Sequence, residues 1–103
     1  MELNELTKKV EQVTSSYANE FNFNRDNDWF MFKLQEEIGE LTQKYLMMTS
    51  RGRQKGLSKD QIRNDFELEV ADVLCQVLLL ANHNNVNVMD KINSKWLRRL
   101  NQE

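Results

Sequence analysis

The segment EVADVLCQVLLLA, Glu69 to Ala81, is apolar nearly all round a helix from Val70 onward, interrupted only by Asp72 and Gln76. A helix of that kind is buried on several sides. It is far too short to span a bilayer, which takes about 20 apolar residues. A chain of 103 residues has little material with which to cover it. The expectation is therefore a helical protein that buries this helix in a homodimer or a larger assembly. Asp72 sits in a run that has no exposed face to offer it. A buried, unpaired carboxylate is costly or takes up a proton.

Outward from this segment the chain reads as helices throughout. Upstream, Ser58 and Gln61 form a capping box that opens the same helix, predicted from about Lys59 to about Asn82. SRGRQKGL, Ser50 to Leu57, is a short basic loop with two glycines. Before it, a helix is predicted from about Asp28 to about Ser50, with Leu34, Ile38, Leu41, Tyr45 and Met48 as its core stripe. Glu37 and Glu40 lie along the edge of that stripe. Gly39 sits between them at a cost of roughly 1 kcal/mol against Ala. It either serves close approach by another helix or a ligand, or is simply tolerated. FNFNRDND, Phe21 to Asp28, breaks the period, and Asp26 or Asp28 caps the helix that follows. Leu3, Leu6, Val10, Val13 and Tyr17 define the narrow seam of a first helix. Downstream, HNNVN, His83 to Asn87, is a turn. A fourth helix then runs to about the C-terminus on Met89, Ile92, Trp96 and Leu100, with Lys91, Lys95 and Arg98 as a separate stripe.

The expected fold is all-α, a four-helix bundle-like chain forming one domain over residues 1–103. The absence of Pro, the three glycines and the lack of strand-like alternation agree with it. The net charge of -2 calls for neither nucleic acid nor membrane as partner. MELNELTKKVEQ is not a secretory signal, and Cys75 is alone, so a cytoplasmic protein without an intrachain disulfide is expected. In its apolar surroundings Cys75 reads as a small core residue, and His83 as a loop residue.

Two acidic pairs carry the chemistry: Glu37 with Glu40, and Glu69 with Asp72. Each pair is spaced by three, so its members point the same way from one helix. Packed antiparallel, the two helices bring the pairs face to face. An E-x-x-E on a helix is most often a solvated face, but four carboxylates converging in apolar stretches suit hard divalent cations. Mg²⁺ is the expected ion, with Mn²⁺ as a substitute. Iron in helical bundles asks for Glu-x-x-His, and zinc for His or Cys, and neither pattern is present.

At these residues the chain resembles the MazG-type nucleotide pyrophosphatases, an all-α superfamily. The resemblance rests on LQEEIGEL and LEVADVL, and continues in INSKWLRRL near the C-terminus, covering roughly residues 29 to 100. It implies Mg²⁺-dependent hydrolysis of nucleoside triphosphates to the monophosphate and pyrophosphate, and a dimer or tetramer. Carried over by position, Glu37, Glu40, Glu69 and Asp72 become the metal ligands and catalytic centre. Lys95 and Arg98 become phosphate contacts, and Asn93 a polar contact to the substrate. Many members carry a base-stacking aromatic residue well upstream of the first motif. Here the candidate is Trp29, only eight residues before Glu37. A phosphoribosyl-ATP pyrophosphatase shares this architecture and is an alternative within the class. Outside it stand a non-enzymatic helical interaction module and a nucleic-acid binder using Arg51, Arg53 and Lys55. The negative charge disfavours the last.

Overall fold

The computed structural model describes residues 1–101, and all regular structure among them is helical. Helix α1 spans Leu3–Glu20, α2 Asn27–Met48, α3 Lys59–His83 and α4 Val88–Lys95, followed by a short 3-10 helix over Leu97–Asn101. None of the described helices is long and apolar enough to cross a membrane.

Local chemistry sets the boundaries of the central pair. Asp26 caps α2 by accepting a hydrogen bond from the Trp29 N–H at 2.9 Å. The capping box at the start of α3 forms in both directions. The Gln61 N–H donates to Ser58 Oγ at 3.2 Å, and the Ser58 N–H donates to Gln61 Oε1 at 2.9 Å. The loop between the helices turns through Ser50, Lys55 and Gly56, all at positive φ. The N–H groups of Arg51 and Gly52 both donate to the Leu46 carbonyl, closing the end of α2.

Helices α2 and α3 form an antiparallel hairpin. Its register is visible in four contacts along its length. The Tyr45 and Phe66 rings lie 6.2 Å apart near the loop, and Arg63 reaches Met48 beside it. At the far end His83 Nε2 and Asn27 Oδ1 are 2.8 Å apart, with the His83 ring stacked on Phe30 at 4.2 Å. Phe30, Leu34 and Met47 from α2, and Ile62, Leu78, Leu79 and Ala81 from α3, make the core.

Helix α1 lies along the second half of α3, with Leu3 and Thr7 beside Leu78 and Ala81. Arg25, in the connection to α2, forms an ion pair with Glu11 that ties this connection back to α1. Leu3, Leu6 and Val10 of the predicted seam are half-buried, but Val13 and Tyr17 are exposed, because a cavity opens beneath that half of the helix.

Two expectations are corrected. The core face of α2 is not the Leu34–Ile38–Tyr45 stripe: Ile38 and Tyr45 are exposed, and the face is turned so that Glu37 enters the interface with α3. The fourth helix stops at Lys95 instead of running on toward the C-terminus, and the rest of that predicted span, residues 102–103, lies outside the described residues. Its seam has nothing to pack on, since α4 touches little beyond the 3-10 turn, and Trp96 and Leu100 are exposed. A short helix without tertiary packing is marginal.

Gly39 lies on an exposed part of α2, and a Cβ there would meet nothing within 4 Å. Within the chain the glycine serves no close approach. Gly39→Ala is therefore expected to stabilise the protein by roughly 1 kcal/mol, raising the melting temperature by about 4–8 °C. Thermal unfolding followed by circular dichroism checks this, and a lowered melting temperature would show that something packs against that face.

Candidate metal centre

The turned face of α2 creates the site. Glu37 is only 9% exposed, and its Oε2 has no hydrogen-bond partner. Across the hairpin, Glu69 is half-buried and its Oε2 is likewise without a partner. Asp72, one turn further along α3, stands at the exposed rim. One carboxylate oxygen from each of Glu37, Glu69 and Asp72 lies within 4.8 Å of the others. Glu36, Glu37 and Glu40 make a second such triple, so Glu37 is common to both. Glu40 is half-buried and near enough to bias the Glu69 carboxyl by its charge. The hairpin thus brings all four sequence-predicted carboxylates together, with Glu36 beside them.

The electrostatics are those of crowded anions. Burial pushes the Glu37 carboxyl up to about 7. The Glu69 carboxyl facing it and the charges of Glu40 and Glu69 add to the rise, and Lys33 opposes it. Glu69 is also raised, through burial first, with Glu40 and Asp72 adding to it. Lys33 Nζ lies 3.7 Å from Glu37 Oε1 and 3.1 Å from Glu36 Oε1. Burial works against its ammonium, but the three glutamates of α2 outweigh burial and raise its pKa. One lysine does not balance five carboxylates. The two orphaned, buried oxygens are the observation that fits a hard divalent cation, which binds carboxylate oxygens and keeps several waters. No His or Cys belongs to either triple, so the donor set is all oxygen, of the kind hard divalent cations take. Cys75 lies close by on α3, but burial and then Asp72 push its thiol up, away from nucleophilic use.

Beside the acids, a cavity of about 480 Å³ opens between α1 and the hairpin. Glu37 and Asp72 line it, and so does Trp29, whose ring stacks on Phe23 at 5.9 Å and meets Phe30 edge-on. The eight residues from Trp29 to Glu37 are just over two helical turns, which puts both on one face. The other sequence-predicted contacts lie elsewhere. Asn93 is exposed on α4. Lys95 and Arg98 border a separate surface groove with Trp96 and Arg99, and neither lines the acidic cavity of its own protomer. Residues at the site that the sequence did not point to are Lys33, Gln76 and the aromatic side chains Tyr17, Phe21 and Phe23. A spacing signal existed for two of them: Lys33 precedes Glu37 by four, and Gln76 follows Asp72 by four. Comparison with protein-family models, characterised proteins and solved structures gave no match.

Proposed function

We propose that this chain is a Mg²⁺-dependent nucleoside triphosphate pyrophosphohydrolase of the MazG type, cleaving (d)NTP to (d)NMP and pyrophosphate in nucleotide-pool house-cleaning. The observation that carries the reading is the pair of buried, partnerless oxygens on Glu37 and Glu69 inside a four-carboxylate cluster. As a purely structural feature this cluster only destabilises the fold. As a ligand set it suits a hard divalent cation, the kind of ion that also takes phosphate oxygens.

Glu37, Glu40, Glu69 and Asp72 hold the ion in this reading. Bound there, Mg²⁺ or Mn²⁺ supplies Lewis acidity toward phosphate oxygens and lowers the pKa of water. The hydrolysis joins a water oxygen to the α-phosphorus and breaks the α–β anhydride bond, so that pyrophosphate leaves. The protein's part is mostly position and charge. Lys33, held by Glu36, places a cation at the edge of the carboxylates. Glu36 or Glu37 orients or deprotonates the attacking water. Lys95, Arg98 and Asn93 lie away from the acidic cavity of their own chain, so in this reading they reach the departing pyrophosphate from a second copy.

Self-association belongs to this reading. The chain exposes 8139 Å², whereas a compact monomer of its mass exposes roughly 6,100 Å². Its radius of gyration is 16.7 Å, against about 13 Å for a compact domain of this length. Val70, Leu74 and Val77, spaced by four and three, form an exposed apolar stripe on α3. A second copy covers that stripe, and Leu74→Lys is expected to convert the oligomer to monomer in sedimentation velocity. A monomeric parent protein would remove the association from the reading.

The direct test of the activity is pyrophosphate release from a panel of nucleoside triphosphates and phosphoribosyl-ATP, with Mg²⁺ and with a chelator. Turnover of nucleoside triphosphates only with the metal is expected. No release from any compound would overturn the assignment.

A further inference from the structure

We propose that Gln76 is a positioning residue for the hydrolytic water. Its amide oxygen accepts a hydrogen bond from one O–H of that water, while Glu36 or Glu37 takes the proton of the other. This deepens the pyrophosphohydrolase reading and rests on it for the reaction.

Among the described residues, three enclosed side-chain atoms lack a hydrogen-bond partner: Glu37 Oε2, Glu69 Oε2 and Gln76 Oε1. All three are acceptors. Two belong to the acidic cluster, and the third is a neutral amide one turn away from it. Gln76 follows Asp72 by four residues and Glu69 by seven, so the three share one face of α3. The hairpin register then fixes its level. With Asn27 meeting His83 and Tyr45 facing Phe66, Gln76 stands level with Leu34 and Gln35, in the turn of α2 between Lys33 and Glu37. Gln76, Lys33 and Glu37 all line the same cavity.

No donor of that lining satisfies the amide oxygen. The Thr14 hydroxyl is committed, donating to the Val10 carbonyl at 3.0 Å. The Lys33 ammonium is held by Glu36 and Glu37. Tyr17, Trp29 and Cys75 line the cavity too, and none of them bonds to Gln76 Oε1. An enclosed acceptor left unpaired costs stability, so the donor comes from outside the chain. The amide nitrogen is not among the enclosed, partnerless atoms, and the terminal amide torsion is soft, so a half-turn brings the oxygen to the cavity. The cavity of about 480 Å³ has room for water many times over.

A water beside the carboxylates has two O–H groups to place. A carboxylate that receives one of them leaves the molecule free to turn about that single hydrogen bond. A second acceptor fixes the other O–H, and the oxygen lone pairs then point in one direction. A neutral amide suits this second contact, because it holds the hydrogen without taking the proton. In the step, the water oxygen joins the α-phosphorus as the α–β anhydride bond breaks. One proton passes to Glu36 or Glu37. The other stays on the oxygen now bound to phosphorus, hydrogen-bonded to Gln76 Oε1. Pyrophosphate leaves with the electrons of the broken bond.

The test separates positioning from folding and from binding. Gln76→Leu in the full chain, stripped of metal, is expected to melt at or above the parent, because it removes an unpaired polar group from an apolar surround. Its Mn²⁺ affinity, followed by electron paramagnetic resonance, should stay within about twofold of the parent. So should its affinity for the α,β-imido analogue of the nucleotide turned over fastest, whose bridging nitrogen resists cleavage. Its kcat for pyrophosphate release is expected to fall about 30-fold with KM unchanged, the scale of a misplaced reactant. Gln76→Glu keeps an oxygen acceptor at the same reach and is expected to turn over several-fold faster than Gln76→Leu at saturating Mn²⁺. Parental kcat in Gln76→Leu overturns this proposal and leaves the pyrophosphohydrolase reading standing. A fall in kcat matched by a lower melting temperature or weaker Mn²⁺ binding marks Gln76 as merely structural and also overturns it, as does a Gln76→Glu variant no faster than Gln76→Leu. A parent protein that releases no pyrophosphate with any metal removes both readings.

Discussion

Glu37→Gln is expected to melt higher than the parent protein when both are stripped of metal at about pH 8, and to lose the rise in melting temperature that Mg²⁺ or Mn²⁺ gives the parent. In the folded chain Glu37 holds its proton up to about pH 7, whereas its ordinary value is 4.5. Between those values the folded state binds more protons than the unfolded one. The stabilisation from this proton is complete below the ordinary value and is lost as the pH rises through the folded one. The metal-free parent should therefore lose melting temperature from about pH 5 to about pH 8, and the glutamine variant should not follow it. The difference at the alkaline end is on the order of 2 kcal/mol, or roughly 10 °C for a chain of this size. A cation at a hundredfold its dissociation constant returns about 2.7 kcal/mol to the parent. Differential scanning fluorimetry across pH, with chelator and with each metal, measures all of this. A variant that melts below the parent and still responds to Mg²⁺ would place the cation elsewhere.

Asp72→Asn is expected to lower kcat/KM for pyrophosphate release by roughly a hundredfold or more, the scale on which removal of one preorganised charged contact acts. Asp72 stands exposed at the rim of the cluster, so its replacement leaves packing unchanged. The melting temperature of the metal-free variant should stay close to the parent, within about 0.5 kcal/mol in stability. Near-normal turnover in this variant would take Asp72 out of the ligand set.

The parts legible in the sequence were those written in local chemistry. The Ser58–Gln61 box is a four-residue pattern with one structural solution, and it forms as read. The two acidic pairs needed only the helical period and an antiparallel hairpin to meet. Apolar residues alone do not define the interface face of α2. Glu37 is itself an interface residue, so the true face runs through it, with Ile38 exposed and Tyr45 at its margin against Phe66. The cavity was not legible because Phe21 and Phe23 sit in an aperiodic connection, and their meeting with Trp29 and Gln76 depends on how α1 lies over α3. Helix four was overextended because its seam repeats correctly but has no surface to pack on.

The hairpin has a kinetic consequence. Every carboxylate of the cluster belongs to two helices joined by one loop, so their meeting needs only this hairpin to close. Such local closures are early events, faster than the docking of a distant segment like α1. Mutual repulsion of the acids is therefore felt on the way up the folding barrier and not after it. Neutralising them, by acid or by a divalent cation, should steepen the climb of the refolding rate while leaving the unfolding rate nearly still.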